Sequence, residues 1–186
     1  ELLIARIRVF ATALLLLLPL TNLMLGGSYY ESISGAMGAM GAFLLSLLWL
    51  SLSKHHRQYR WLPFVSAASD VSMVSVVLLL LSLNNPSAGL NSVVVWCCYP
   101  LAIMATSLRN DVRVCMLAGA LAIIQFSLLS LFIMHQSAGI TSSIDYGIVT
   151  VSNQIQRIVI LFAISLLTAV VVYRMQLLVQ LSGTDG

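Results

Sequence analysis

The sequence predicts an all-α, polytopic membrane protein: six transmembrane helices, both termini cytoplasmic, and a last helix that runs on beyond the membrane. Three observations predict it. The chain is 60% hydrophobic and only 8% charged over 186 residues, a balance far from that of soluble domains. Six segments approach or reach the ~20 apolar residues that cross a hydrocarbon core. Eight of the nine Lys and Arg residues lie on one side of an alternating set of connections, the side that the positive-inside rule makes cytoplasmic.

The apolar segments cover roughly residues 4–25, 34–52, 62–83, 93–108, 112–134 and 148–173. The first is interrupted by Pro19. The fourth is short, and in it Pro100 removes a hydrogen bond to the Trp96 carbonyl, which predicts a kink. Arg6 and Arg8 precede the first span; Lys54, Arg57 and Arg60 separate the second and third; Arg109 and Arg113 separate the fourth and fifth; Arg174 follows the sixth. The connections at 26–32, 84–91 and 135–147 carry no Lys or Arg. The net charge of +3 therefore reports topology and some attraction to anionic lipid, not a nucleic-acid partner. Trp49, Tyr59 and Trp61 near the inner boundary, with Tyr29, Tyr30 and Tyr146 near the outer, read as interface anchors. No small-x-small cleavage site follows the first apolar run, so it reads as a span rather than a cleaved leader. Because residue 1 is Glu, an N-terminal piece is expected to precede it. The uncharged connections are too short for a folded domain, so a ligand must arrive through the membrane or enter between helices. Inverted repeats with paired broken helices, a transporter feature, are not apparent.

Cys97, Cys98 and Cys115 have no metal-ligand spacing and read as small core residues. His55, His56 and His135 fall at the boundaries and read as solvated or interfacial. No metal site is expected. In the second span Gly35, Gly38, Gly41 and Ala42 recur at spacings that let helix backbones approach closely. Packing within one subunit and a dimer contact are both open for that stripe, and Ala118, Gly119 and Ala120 repeat it in the fifth span.

Ionisable groups inside hydrocarbon are the main functional candidates, because burying one uncompensated costs roughly 2.5–3.5 kcal/mol even on lenient scales. Asp70 lies ten residues past Arg60, near mid-membrane, with Ser66, Ser69 and Met73 on its helical face. A neutral, hydrogen-bonded acid, a partner for a basic group and a packing switch are its open roles. Arg157 belongs to the most polar run in any span, with Asn153, Gln154 and Gln156. It either snorkels to the headgroups, pairs with Asp70, or lines an outward cavity that takes the acidic head of an amphipathic ligand. The Pro100 kink beside Trp96 and Tyr99 either widens that candidate pocket, with these two residues in it, or simply shapes the bundle.

At the tail, Ile164, Thr168, Val171, Met175 and Leu178 alternate by four and three, a short heptad seam that suits a parallel helix pair. The run Leu181-Ser182-Gly183-Thr184-Asp185-Gly186 resembles the junction between signalling helix and GGDEF domain in membrane-bound diguanylate cyclases, where Ser-x-Thr-Asp-x typically continues into Leu-Thr-Gly-Leu. Arg6, Arg8, Pro19, Asn22, Tyr99 and Pro100 likewise resemble features of the six-helix sensors on some of these enzymes. The resemblance implies that residues 1–173 form a membrane sensor or anchor and that 174–186 begin a cytoplasmic signalling helix. It implies a homodimer in the bacterial cytoplasmic membrane, with Ser182, Thr184 and Asp185 at the output junction. GTP, Mg²⁺ and the condensation of two GTP into cyclic di-GMP would belong to an output domain beyond Gly186, so no catalytic residue and no cofactor is expected in this chain. An anchor of an adenylate cyclase or histidine kinase is the alternative, with a small transporter a weaker one.

Overall fold

The computed structural model describes residues 2–26, 29–53, 61–136, 142–143 and 146–182. The basic loop with Lys54, His55, His56, Arg57, Tyr59 and Arg60 lies outside them, as do Thr184, Asp185 and the side chain of Ser182.

Among the described residues the fold is helical apart from one two-residue strand pair. Helices α1 (Leu2–Leu15) and α2 (Leu17–Met24) share the first apolar segment. The break falls at Leu16, three residues before Pro19, whose missing N–H and crowding ring disrupt the bond to the Leu15 carbonyl. The unbroken α3 (Tyr29–Ser53) and α4 (Leu62–Asn84) follow, then α5 (Pro86–Asn91), α6 (Val93–Trp96) and α7 (Cys98–Thr106). Pro100 acts as expected: the helix is interrupted at Cys97, and α6 gives way to α7. A 3-10 turn, Ser107–Arg109, ends on Asn110 in the left-handed region at φ 51°, which asparagine tolerates better than most residues. Asp111 caps α8 (Val112–Gln136) by accepting from the Arg113 N–H at 2.9 Å. Strands β1 (Ser142–Ser143) and β2 (Gly147–Ile148) pair antiparallel, Ser142 opposite Ile148. The chain closes with α9 (Val151–Ser182), one continuous helix of 32 residues.

Among the described residues, five helical stretches are long and apolar enough to cross a bilayer: Leu2–Met24, Tyr29–Ser53, Leu62–Asn84, Val112–Gln136 and Val151–Leu181. Val93–Arg109 is a shorter apolar helix. Lipid suits the outside. Helix α8 buries Phe126 and Ile133 yet exposes Leu128, Leu131 and Phe132, apolar on every face as a bilayer-spanning helix is. This is the fold of a multi-pass α-helical membrane protein.

The core lies where α4, α7, α8 and α9 meet, around Val71, Leu78, Tyr99, Ile103, Ala118, Phe126 and Leu161. Helix α3 joins it through α4, and α1 and α2 pack on α3. Without a hydrophobic drive between helices in lipid, close backbone approach carries much of this packing. A Cβ on Gly38 would fall 2.2 Å from Val77 Cγ2, and one on Gly119 would fall 2.4 Å from Ser165 Oγ. The segment between α4 and α6, expected to be a simple external connection, instead folds back as α5. Asn85 caps it by accepting from the Ser87 N–H at 3.1 Å, with Pro86 in its first turn. Ser87, Ala88, Gly89 and Leu90 are all buried against the end of α4.

Gly89 is the least forgiving of these contacts, because a Cβ there would meet backbone: Ser82 Cα at 2.7 Å and the Leu78 carbonyl at 2.9 Å. Gly89→Ala is expected to cost about 1–3 kcal/mol through overpacking. Gly35→Ala, whose Cβ would meet only Pro19 Cβ at 3.6 Å, is expected to be neutral or slightly stabilising. Thermal unfolding of both variants in detergent checks the contrast.

Candidate functional site

The residues singled out in the sequence separate into three polar layers along the bundle. At the end where α1 and α4 begin, Arg8 reaches from α1 across to α4. It donates to Asp70 Oδ1 and, at 2.8 Å, to the Ser66 carbonyl. Arg8 lies six residues past Leu2 and Asp70 eight past Leu62, so the two sit roughly 9 and 12 Å along their helices. Their side chains are 11% and 33% exposed. Arg109 enters the same cluster from the 3-10 turn. It donates to the Pro63 carbonyl and to Ser66 Oγ at 2.6 Å, and its charge also acts on the Asp70 carboxylate. Ser69, one residue before Asp70, accepts from the Trp49 indole at 2.9 Å. Trp49 is thus bonded into the bundle, whereas the sequence placed it among the interface anchors. Charge placement alone makes Arg8 a boundary residue; the structure makes it the partner of Asp70.

The middle layer surrounds Tyr99, which is fully buried. Its hydroxyl lies 2.7 Å from Ser75 Oγ, Ser75 lies 2.5 Å from Gln125 Oε1, and Gln125 Nε2 donates to Ser72 Oγ at 2.9 Å. With the phenol as first donor the hydrogen bonds run in one direction, from α7 to α4 to α8 and back to α4. The Tyr99 ring packs edge-on against Phe126 with centroids 5.9 Å apart. Tyr99 therefore belongs to the helix-packing core and not to a pocket with Arg157.

The third layer lies at the far end and forms around α9. Arg157 donates to the Leu90 carbonyl in the last turn of α5, where helix carbonyls lack intrahelical partners. Its guanidinium stacks over Trp96, 5.5 Å from the ring centroid. One turn earlier, Gln154 is 3% exposed, and its Nε2 faces Asn91 Oδ1 at a long 3.5 Å. Asn91 Nδ2 donates to the carbonyls of Tyr146 and Ile148 at 2.9 and 3.3 Å, tying the β1–β2 hairpin to α5. Tyr146 in turn donates to Glu31 Oε2 at 2.6 Å, linking the hairpin to α3. Of the proposed ligand set, then, Arg157, Gln154 and Trp96 come together. Asn153 and Gln156 are exposed on α9 and make no side-chain bond to Arg157 or Gln154 among the described residues, and Asp70 and Tyr99 belong to the other layers.

The small-residue stripe meets its own subunit. Gly38 faces Val77, Gly41 faces Met73 Cε at 3.0 Å, Gly35 faces Pro19, and Ala42 is half-buried. On the tail, Thr168 is buried in the bundle, while Val171, Met175 and Leu178 are 46%, 51% and 66% exposed. Gln176, which the sequence had not singled out, donates to the Asn110 carbonyl at 2.6 Å. That bond fastens α9 to the turn carrying Arg109. Ser182 is the last helical residue.

No protein-family profile, no curated protein and no solved structure matches the chain.

The Arg8–Asp70 pair yields a double-mutant cycle. Arg8→Ala and Asp70→Ala are each expected to cost roughly 2 kcal/mol, less than the ~3–5 of a fully buried pair because Asp70 keeps some exposure and Arg109 is near. The double variant should lose clearly less than the sum of the two, and denaturant unfolding in detergent measures the difference.

Proposed function

We propose that the chain is the membrane sensory and transmission region of a diguanylate cyclase. It crosses the bacterial cytoplasmic membrane six times with both termini inside, pairs with a second copy, and controls cyclic di-GMP synthesis through α9. The observation that carries this reading is the continuity of α9. Its 32 residues rise about 48 Å, beyond the ~30 Å hydrocarbon core. Gln154 and Arg157 lie near one end, and Met175 and Leu178 are exposed near the other. The residues from 182 to 186 supply the GGDEF-type junction. The basic residues Arg6, Arg8, Arg109, Arg113 and Arg174 support a cytoplasmic placement for the end that carries them. In the six-crossing arrangement, Val93–Arg109 is the fourth span.

Two attachments hold α9 to its neighbours. Near its start, Arg157 grips Leu90 and Trp96; beyond the core, Gln176 grips Asn110. A ligand that favours one position of α9 biases both, by no more than its difference in affinity for the two positions. The exposed Val171, Met175 and Leu178 then present a changed seam to the partner helix, and the output domains move together or apart.

Two measurements test the reading. Membranes carrying the full-length protein are expected to convert GTP to cyclic di-GMP when Mg²⁺ is present; cyclic AMP from ATP, or a phosphohistidine, in its place would sink the assignment of the output. In full-length protein with the native cysteines replaced, Leu178→Cys is expected to crosslink two copies readily, and Ala169→Cys, 7% exposed within the bundle, hardly at all. Equal crosslinking of the two would remove the paired stalk.

A further inference from the structure

Two buried polar atoms beside Arg157 have no hydrogen-bond partner among the described residues: the indole nitrogen of Trp96 and Oε1 of Gln154. Both belong to the cluster that holds Arg157. Trp96 lies under its guanidinium, and Gln154 precedes it by three residues, on the same face of α9. Arg157 itself has no carboxylate within 4.0 Å among the described residues. Among the described residues this cluster thus holds a cation without a carboxylate, a donor without an acceptor, and an acceptor without a donor. Unpaired groups of this kind are costly inside a bilayer, and in native proteins each calls for an explanation such as an unseen ligand.

We propose that Arg157, Trp96 and Gln154 form a binding site for an oxyanion that carries a neighbouring hydroxyl, the chemistry of a phosphoglycerol lipid headgroup or of a free polyol phosphate. The inference deepens the sensory reading above by naming its ligand class, and it depends on that reading only for the consequence at the stalk. Anionic oxygens accept from the Arg157 edge left open by Leu90 and from the Trp96 N–H. The hydroxyl donates to Gln154 Oε1.

The orientation of the Gln154 amide follows from its neighbour. Asn91 spends its Nδ2 on Tyr146 and Ile148, so its Oδ1 is left to face the Gln154 NH₂ and the open Gln154 atom is an acceptor. That acceptor sets the selectivity. An oxyanion lacking a hydroxyl leaves Gln154 Oε1 unpaired, and a choline headgroup brings a second cation and no donor. Val93 and Val94, within one helical turn before Trp96, are exposed and offer acyl chains an apolar surface.

The test titrates purified full-length protein in detergent, without GTP, with short-chain phosphatidylglycerol, phosphatidylmethanol and phosphatidylcholine, reading bound lipid by native mass spectrometry. Phosphatidylmethanol keeps the phosphodiester charge and lacks the glycerol hydroxyls. Wild type is expected to bind phosphatidylglycerol roughly tenfold more tightly than phosphatidylmethanol, the worth of about one hydrogen bond, and phosphatidylcholine least. Gln154→Leu should erase the preference among the anions while still binding both, and Arg157→Ala should lose both. Circular dichroism confirms that each variant keeps its helix content. Displacement of phosphatidylglycerol by free glycerol 3-phosphate supports the site with a soluble source; lipid binding that glycerol 3-phosphate does not displace supports it with the headgroup as source. Equal binding of the two anionic lipids by wild type, or a preference that survives Gln154→Leu, overturns the proposal. Because no cyclase activity is read, failure here leaves the cyclase reading standing, and failure of cyclic di-GMP synthesis leaves the site standing.

Discussion

The ion pair between Arg8 and Asp70 is the contact on which the arrangement of the first hairpin depends. Helix α1 buries only Ala5 and α2 buries no residue, so burial barely holds them to the bundle. In lipid, apolar side chains gain little by meeting one another rather than acyl tails, and position must come from polar contacts and close packing. Arg8 provides the strongest of these contacts, spanning from α1 to Asp70 and the Ser66 carbonyl. Thr12 adds a bond to Ser46 on α3 at 2.9 Å. Without the ion pair, α1 would keep its helix and lose its place.

The three polar layers share a logic. Each joins groups from at least three parts of the fold, and each converts a group that is costly in hydrocarbon into an orientation constraint. The middle layer is satisfied through its chain from Tyr99 to Ser72. The layer at the basic end is dense, with two guanidinium groups converging on Ser66 beside one carboxylate. Among the described residues that layer leaves one buried atom, Arg8 Nε, without a partner, whereas the layer around Arg157 leaves two, Trp96 Nε1 and Gln154 Oε1, a donor and an acceptor.

Much of this was legible in the sequence, and the failures have physical causes. The apolar segments and the breaks near Pro19 and Pro100 followed from hydropathy and proline stereochemistry. The partner of Asp70 was missed because counting charges by side of the membrane treats every basic residue as a boundary marker. Equal counts from the two helix starts would have placed Arg8 at nearly the depth of Asp70. Gln125 also left a readable mark, as a lone amide in the middle of an apolar helix. The role of Leu90 left none: a backbone carbonyl becomes an arginine's partner only once α5 folds back onto α4, and side-chain identity does not encode that. Asn153 and Gln156 looked equivalent to Gln154 because a polar run conceals which member the helix turns inward.

The shortness of the apolar helix Val93–Arg109 has a mechanical consequence. In the six-crossing arrangement, the 17 residues of Val93–Arg109 rise about 25 Å, some 5 Å less than a typical hydrocarbon core. The bilayer beside it must thin to match, at a fraction of a kcal/mol for each ångström of mismatch. A thicker membrane would therefore strain this helix before its longer neighbours. Trp96 near its start and Arg109 at its end lie in two different polar layers, so the thickness of the host bilayer acts as a load along the line that joins them.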